Sequence, residues 1–215
     1  FYYYWDSKSF IFGSELNAIL QNPDFTKQIN DIAVGYYFKL GYIPSPLTIY
    51  ENTYKLNPGH FGIFDLSKKE ILIQQYWNPI DFYQKPKLNI DYEEAKSELT
   101  QLLLSSCKYR MVADVPLGSF LSGGFDSTAV AAILQKNSKE RLKTFTIGFK
   151  EGNNEAPYAA QIAKVLGTEH YEYYCTTKEA QELIPQLPFF FDEPFSDSSA
   201  IPTLLVSKFA RSKVT

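Results

Sequence analysis

Residues 120–128 read FLSGGFDST: two adjacent glycines, two serines and an aspartate between an apolar strand and an apolar helix. Gly123 and Gly124 can adopt positive φ and keep Cβ atoms clear, so backbone amides can curl round phosphate oxygens. Ser122 and Ser127 add hydroxyl donors. In a parallel α/β sheet such a strand-to-helix turn lies outside the carboxyl ends of the strands. Ligands collect there against the unpaired amides and partial positive charge of a helix N-terminus. The stretch has neither the Lys-Ser/Thr ending of a Walker loop nor the third glycine of a dinucleotide fingerprint. Asp126 stands where the phosphates would be. A carboxylate there repels a polyphosphate unless a cation lies between them, so Asp126 implies Mg2+ bridging to phosphate oxygens. The alternative is a solvent-exposed turn in which Asp or Ser merely caps the helix. The six residues SGGFDS between a clear strand and helix weigh against it.

The elements that must position this turn follow from hydrophobic spacing. Asp91 sits at an N-cap position with Glu94 three residues on, ahead of Ala95, Leu99, Leu102, Leu103 and Ser106, which predicts a helix with one face inward. Residues 112–121 read as a short buried strand, 127–135 as a helix and 143–149 as a second strand. A helix over 156–166 ended by Gly167, a strand over 170–174 and a helix from Lys178 continue the alternation. Strands alternating with helices of this length predict an α/β fold, a doubly wound parallel sheet with helices on both faces. Residues 1–78 differ: they are aromatic-rich and punctuated by Gly, Pro and Asn. Alternation at Phe61, Ile63, Ile71 and Ile73 predicts short antiparallel strands, with a helical piece near Glu15 to Leu20. Residues 79–90 carry two prolines and little periodicity and read as a linker. The expected division is therefore 1–78, a linker at 79–90, and 91–215.

Composition excludes several classes. A formal net charge of −3, from 21 basic and 24 acidic residues that are interspersed, provides no basic stripe for nucleic acid. Cys107 and Cys175 are far apart and lack metal-site spacing, so neither a disulfide framework nor a structural metal is expected, and a reducing, cytoplasmic setting fits. No run of about 18 apolar residues marks a membrane span. The start FYYYWDSKSF is not a signal peptide. Beginning at Phe1 and stopping where a strand should follow KFARSKVT, the chain reads as an excerpt.

SGGFDS resembles the pyrophosphate loop of the ATP pyrophosphatase superfamily, the PP-loop or adenine nucleotide alpha hydrolase-like fold. ADVPLGSFLSGGFDSTAVAAI, KTFTIGF, YAAQIAKVLGTEHYE and DEPFSDSSAIPTLLVSKFAR occur in the order shown by one branch, glutamine-hydrolysing asparagine synthase. Upstream, YYYW, FGSELNAIL, GYIPSPLTIYENTYKLNPGH and QQYWNP resemble the end of its N-terminal nucleophile glutaminase domain. The resemblance covers essentially the whole chain. It implies that Ser122, Gly123, Gly124, Asp126 and Ser127 hold the pyrophosphate portion of ATP with Mg2+, and that the backbone at Leu121 and Ile147 holds adenine. Aspartate would be adenylated and ammonia from glutamine would displace AMP, giving asparagine.

In the segment DEPFSDSS, Asp197, Ser198 and Ser199 are candidates for the aspartate and pyrophosphate side, the alternative being an N-capping loop. His60 and His170 are lone and read as structural, Glu155 as a solvated loop residue, and the aromatics as core. The family's N-terminal cysteine nucleophile is absent here, as is its second phosphate loop, SGDGGDE. The excerpt alone is therefore expected to be inactive, with its ATP site half present. Phe125 replaces the family's usual Ile or Leu, an apolar exchange. A β-lactam synthetase or peptide cyclase on the same scaffold is the nearest alternative, and a non-catalytic nucleotide-binding module the next. Members of the family are often homodimers, though no stretch of this chain shows a self-complementary face.

Overall fold

The computed structural model describes residues 1–150 and 154–214, and its contacts form two units. The first comprises Phe1–Lys87 with Pro185–Asp197, the second Leu88–Ile184 with the stretch from Ser198 onward.

In the first unit, β1 (Tyr2–Trp5) is the middle strand of an antiparallel sheet between β2 (Phe10–Gly13) and β3 (Thr53–Lys55), with Tyr2 opposite Gly13 on one side and Lys55 on the other. Two helices, α1 (Leu16–Leu20) and α2 (Asp31–Leu40), pack with it around buried Tyr4, Leu16, Ile19, Ala33, Ile43 and Ile49. The ends of α2 are coded locally: the Asn30 side chain accepts from the Ala33 amide, and Gly41 closes the helix at φ 78°. A hairpin of β4 (His60–Asp65) and β5 (Glu70–Gln75) follows, with Ile63 opposite Leu72. Beyond it, the residues read as a linker contain a short helix, α3 (Pro79–Tyr83). Asn78 caps it and Pro79 takes the first position, where a missing N–H costs nothing.

The second unit opens with α4 (Tyr92–Arg110), where the Asp91 carboxylate accepts from the Glu94 amide at 2.9 Å. Its inward face differs from the expected one. Leu99 and Leu102 are exposed, and Cys107 is the buried residue, flanked by half-buried Leu103 and Leu104. Three strands form a parallel sheet in the order β6 (Gly118–Phe120), β7 (Lys143–Phe149), β8 (Glu169–Cys175), connected by α5 (Phe125–Lys136) and α6 (Ala156–Leu166). After β8, α7 (Thr177–Leu183) begins in a capping box between Thr176 and Glu179. The short α8 (Leu187–Phe190) belongs to the first unit, and α9 (Ala200–Arg211) returns to the second.

Side-chain alternation along β7 sorts the helices. Phe145 packs with Val206 and Ala210 of α9, and Ile147 and Phe149 join a cluster with Leu183 and Leu205. Thr144 and Thr146 are buried on the opposite face, where the Thr144 hydroxyl meets that of Thr168 just after α6. Helices therefore cover both faces. The strand order runs in one direction among the described residues, so the reversal that defines double winding is not among the strands seen. The strand expected over 112–121 is reduced to three residues that are not buried. Pro116 cannot donate to a ladder, and pairing is confined to Gly118–Phe120, just before Leu121. Among the described residues no helix is long and apolar enough to cross a membrane.

Candidate functional site

At the carboxyl ends of β6 and β7 the second unit has a cleft of about 440 Å³. Leu121 and Ser122 line it from the turn after β6, Ile147 and Phe149 from β7, and Ser199 and Val206 from α9. The turn is built by Gly123, which holds φ at 84°. A β-carbon there would lie 3.2 Å from Tyr158 Cβ and 3.3 Å from the Ala159 nitrogen, so the backbone is pressed against the first turn of α6. Gly124 is the N-cap of α5 and supplies no side-chain cap. The Asp91, Thr176 and Asn30 side chains each satisfy an amide of their helices, whereas no side chain caps the start of α5. None of the SGGFDS side chains caps α5.

The serines hold the turn shut on itself. Ser127 Oγ lies 3.0 Å from Ser122 Oγ and 3.2 Å from the Ser122 amide, and donates to the Gly124 carbonyl at 3.3 Å. Asp126 sits exposed in the first turn of α5, next to Phe125, which is 96% exposed. No group of three or more His, Cys, Asp or Glu side chains among the described residues is placed to hold a metal ion. A lone carboxylate in the first turn of a helix nonetheless suits Mg2+, which keeps most of its waters and takes one or two carboxylates plus phosphate oxygens.

For the proposed adenine contacts, the Leu121 amide donates to the Phe145 carbonyl at 2.9 Å and so is already engaged. That same bond fixes direction along β7: two residues on, the Ile147 N–H and C=O point the same way, past the last residue of β6 and toward the cleft. The structure thus brings Leu121, Ser122, Ile147 and Ser199 to one cleft, with Gly123, Gly124, Asp126 and Ser127 on the adjoining turn. Ser198 precedes α9 and is exposed, and Asp197 is grouped with the first unit. Sequence reading missed Pro202 and Val206, which share a face of α9 with Ser199 at helical spacing. It also set aside Glu155, which is exposed but on the cleft wall.

The histidines and cysteines take no part. The His60 ring bonds the Pro58 carbonyl of its own turn. His170 Nδ1 meets the Thr144 hydroxyl near the amino end of the sheet, where burial lowers its pKa. Cys175 is buried, which raises its thiol pKa, and Cys107 is buried in α4.

The acidic residues that open DEPFSDSS have partners elsewhere. The Asp192 carboxylate accepts from the Leu16 and Asn17 amides at 2.6 and 3.2 Å, at the N-terminus of α1. Glu193 accepts from the Ile49 amide at 2.7 Å and pairs with Lys55 Nζ at 2.5 Å.

Comparison with known proteins places these features. Residues 98–215 match the family model described as asparagine synthase, and residues 1–77 one described as a glutamine amidotransferase domain. The chain belongs to the asparagine synthase family. A putative glutamine-hydrolyzing asparagine synthetase 2 of Methanocaldococcus jannaschii is 44% identical over 221 residues, covering all of this chain and 42% of the relative. A putative glutamine-hydrolyzing asparagine synthetase of Mycobacterium tuberculosis is 33% identical over 191 residues, covering 88% of this chain and 29% of the relative. The chain spans less than half the length of either. An NH3-dependent NAD synthetase structure from Campylobacter jejuni aligns over 58% of this chain and 54% of its own at TM-score 0.38 and 16% identity, too slight a likeness to bear on fold or function. Every residue lining the cleft lies in the asparagine synthase match. Asp192 and Glu193 lie there too, yet their partners Leu16, Ile49 and Lys55 fall in the amidotransferase match.

Proposed function

We propose that the cleft binds ATP and that the full-length protein is a glutamine-dependent asparagine synthase, an ATP-consuming carbon–nitrogen ligase. The observation that carries this reading is the uncapped start of α5 behind the positive-φ turn at Gly123, opening beside a cleft of about 440 Å³. Amides of that turn and helix start, with the Ser122 and Ser127 hydroxyls, suit a pyrophosphate group. The backbone of Ile147, flanked by Phe145 and Phe149, suits a purine edge. At Leu121 that role falls to the carbonyl, since the amide is engaged. Asp126 would hold Mg2+ through the phosphates, and the ion would neutralise charge on the departing pyrophosphate.

In the reaction, an aspartate carboxylate oxygen attacks the α-phosphorus and the bond to pyrophosphate breaks, leaving aspartyl-AMP. Ammonia then attacks the acyl carbon, releasing AMP and forming asparagine. Donors aimed at pyrophosphate stabilise charge that grows as it leaves, which is where catalysis gains most. Ser199 on the cleft wall, with Ser198 beside it, is positioned for the aspartate and pyrophosphate side. Asp197 is assigned that role by sequence resemblance alone.

The test is made on the full-length protein with ATP, Mg2+, aspartate and either ammonia or glutamine, resolving products by mass spectrometry. AMP, pyrophosphate and asparagine are expected. Absence of AMP would overturn adenylation, and AMP without asparagine would assign the cleft to another carboxylate, as in a β-lactam synthetase or peptide cyclase.

A further inference from the structure

Glu155 lies on the wall of the cleft with Ser122, Ile147 and Ser199, all within the second unit. Its backbone is located from two sides. Toward β7, the preceding residue sits over Gly148, the neighbour of Ile147: a β-carbon on Gly148 would come within 2.7 Å of Asn154 Oδ1. Toward the turn, the Glu155 carbonyl accepts from the Ala159 amide at 3.1 Å, and a β-carbon on Gly123 would lie 3.3 Å from that same nitrogen. Glu155 therefore stands between the end of β7 and the Gly123 turn.

The common use of an acidic residue at such a place is to cap the helix it precedes. Glu155 does not do so. It occupies the N-cap of α6 without a side-chain bond to the helix, and the Ala156 amide donates instead to Asn154 Oδ1 at 3.1 Å. A carboxylate is also unsuited to direct contact with phosphates, since the charges repel. In a nucleotide, the group between base and phosphates is the ribose. Its vicinal hydroxyls are donors, and a carboxylate accepts at both oxygens, so the two can form a pair of charge-assisted bonds. An acidic residue serves the ribose in this way in dinucleotide-binding sheets.

We propose that Glu155 is the ribose-binding residue of the cleft, accepting from the 2′- and 3′-hydroxyls and so selecting ribonucleotides over their deoxy counterparts. This rests on the nucleotide reading: with the adenine edge at Ile147 and the pyrophosphate at the Gly123 turn, the sugar falls beside Glu155. Because Glu155 is exposed, the discrimination is far smaller than a buried acceptor would impose.

The experiment is calorimetric titration of the full-length protein with the magnesium complexes of ATP, 2′-deoxy-ATP and 3′-deoxy-ATP, without aspartate so that no adenylation proceeds. The wild type should bind ATP about tenfold more tightly than either deoxy analogue, the worth of one hydrogen bond to a charged group. Glu155→Ala should weaken ATP more than it weakens the analogues, so that all three bind alike. Glu155→Gln keeps one acceptor oxygen and should retain part of the preference. The proposal is overturned if the wild type binds ATP and both analogues equally, or if Glu155→Ala weakens the three by one common factor. It is overturned too if the loss in Glu155→Ala disappears when the titrations are repeated without Mg2+, since the carboxylate then serves the ion. Should the wild type bind none of the three, the nucleotide reading falls and the ribose assignment with it, whereas ATP binding without preference strikes the ribose assignment alone.

Discussion

At Gly123 a φ of 84° strains any side chain, and Tyr158 and Ala159 would have to give by a few tenths of an ångström to admit one. Gly123→Ala combines left-handed strain with a contact that backbone cannot easily yield, and is expected to cost about 1–3 kcal/mol. Denaturant titration measures that cost, and nucleotide titration should show a larger loss because the shifted turn carries the amides. Under the proposed Mg-ATP reading, Asp126 acts through charge. Asp126→Asn should weaken Mg-ATP binding about tenfold, but leave metal-free ATP bound equally or more tightly, since the substitution removes a repulsion when no cation screens it. Equal weakening with and without Mg2+ would remove the metal role. The turn itself was legible in the sequence, because its residues are contiguous and a positive φ calls for glycine. What the motif did not disclose is that Ser122 and Ser127 bond each other, so the two hydroxyls first hold the turn and a ligand must recruit them from that pair.

Elements whose ends are coded by neighbouring residues were read closely. The strand over 143–149 and the helix over 156–166 have the expected bounds, the latter because Gly167 ends it at φ 72°. Elements fixed by distant packing were not. The strand before the turn shrank to Gly118–Phe120, and α4 turned Leu99 and Leu102 outward. Periodicity gives a helix face but not which partner covers it. The start of α7 allows a test of a local code. Glu179 accepts from the Tyr173 hydroxyl at 2.6 Å and from the Thr176 amide and hydroxyl, and these bonds, the tyrosine first, lower its pKa from 4.5 to about 2. A carboxyl depressed by folding contributes its full stability above the unfolded pKa and loses it as pH falls toward the folded one. The wild type should therefore exceed Glu179→Gln in stability by a constant amount above pH 4.5, and the gap should close between pH 4.5 and about 2. Chemical denaturation across that range measures it, and a gap that persists at pH 2 would remove the linkage.

For the whole molecule, the grouping of residues 185–197 with Phe1–Lys87 was hidden from a reading that cut the chain once, between 78 and 91. Nothing in DEPFSDSS marks its partners, because a carboxylate's choice between capping its own helix and one 176 residues away is made by tertiary packing. The consequence can be tested by taking the chain apart. Residues 1–87 alone retain Tyr4, Leu16 and Ile19, but lose the carboxylates that satisfy the Leu16, Asn17 and Ile49 amides and the counter-ion of the Lys55 ammonium. Each lost hydrogen bond costs about 0.5–1.5 kcal/mol, and three together are a large share of what so small a unit has in hand. The isolated 1–87 piece is therefore expected to be poorly folded, and a synthetic peptide of residues 185–197 added in trans should restore protection at the Leu16 and Ile49 amides. The same peptide with Asp192→Asn and Glu193→Gln should bind far more weakly, with the difference shrinking as salt rises because part of it is ionic. If 1–87 is fully folded without the peptide, the carboxylates are incidental to the first unit and its stability comes from the aromatic core alone.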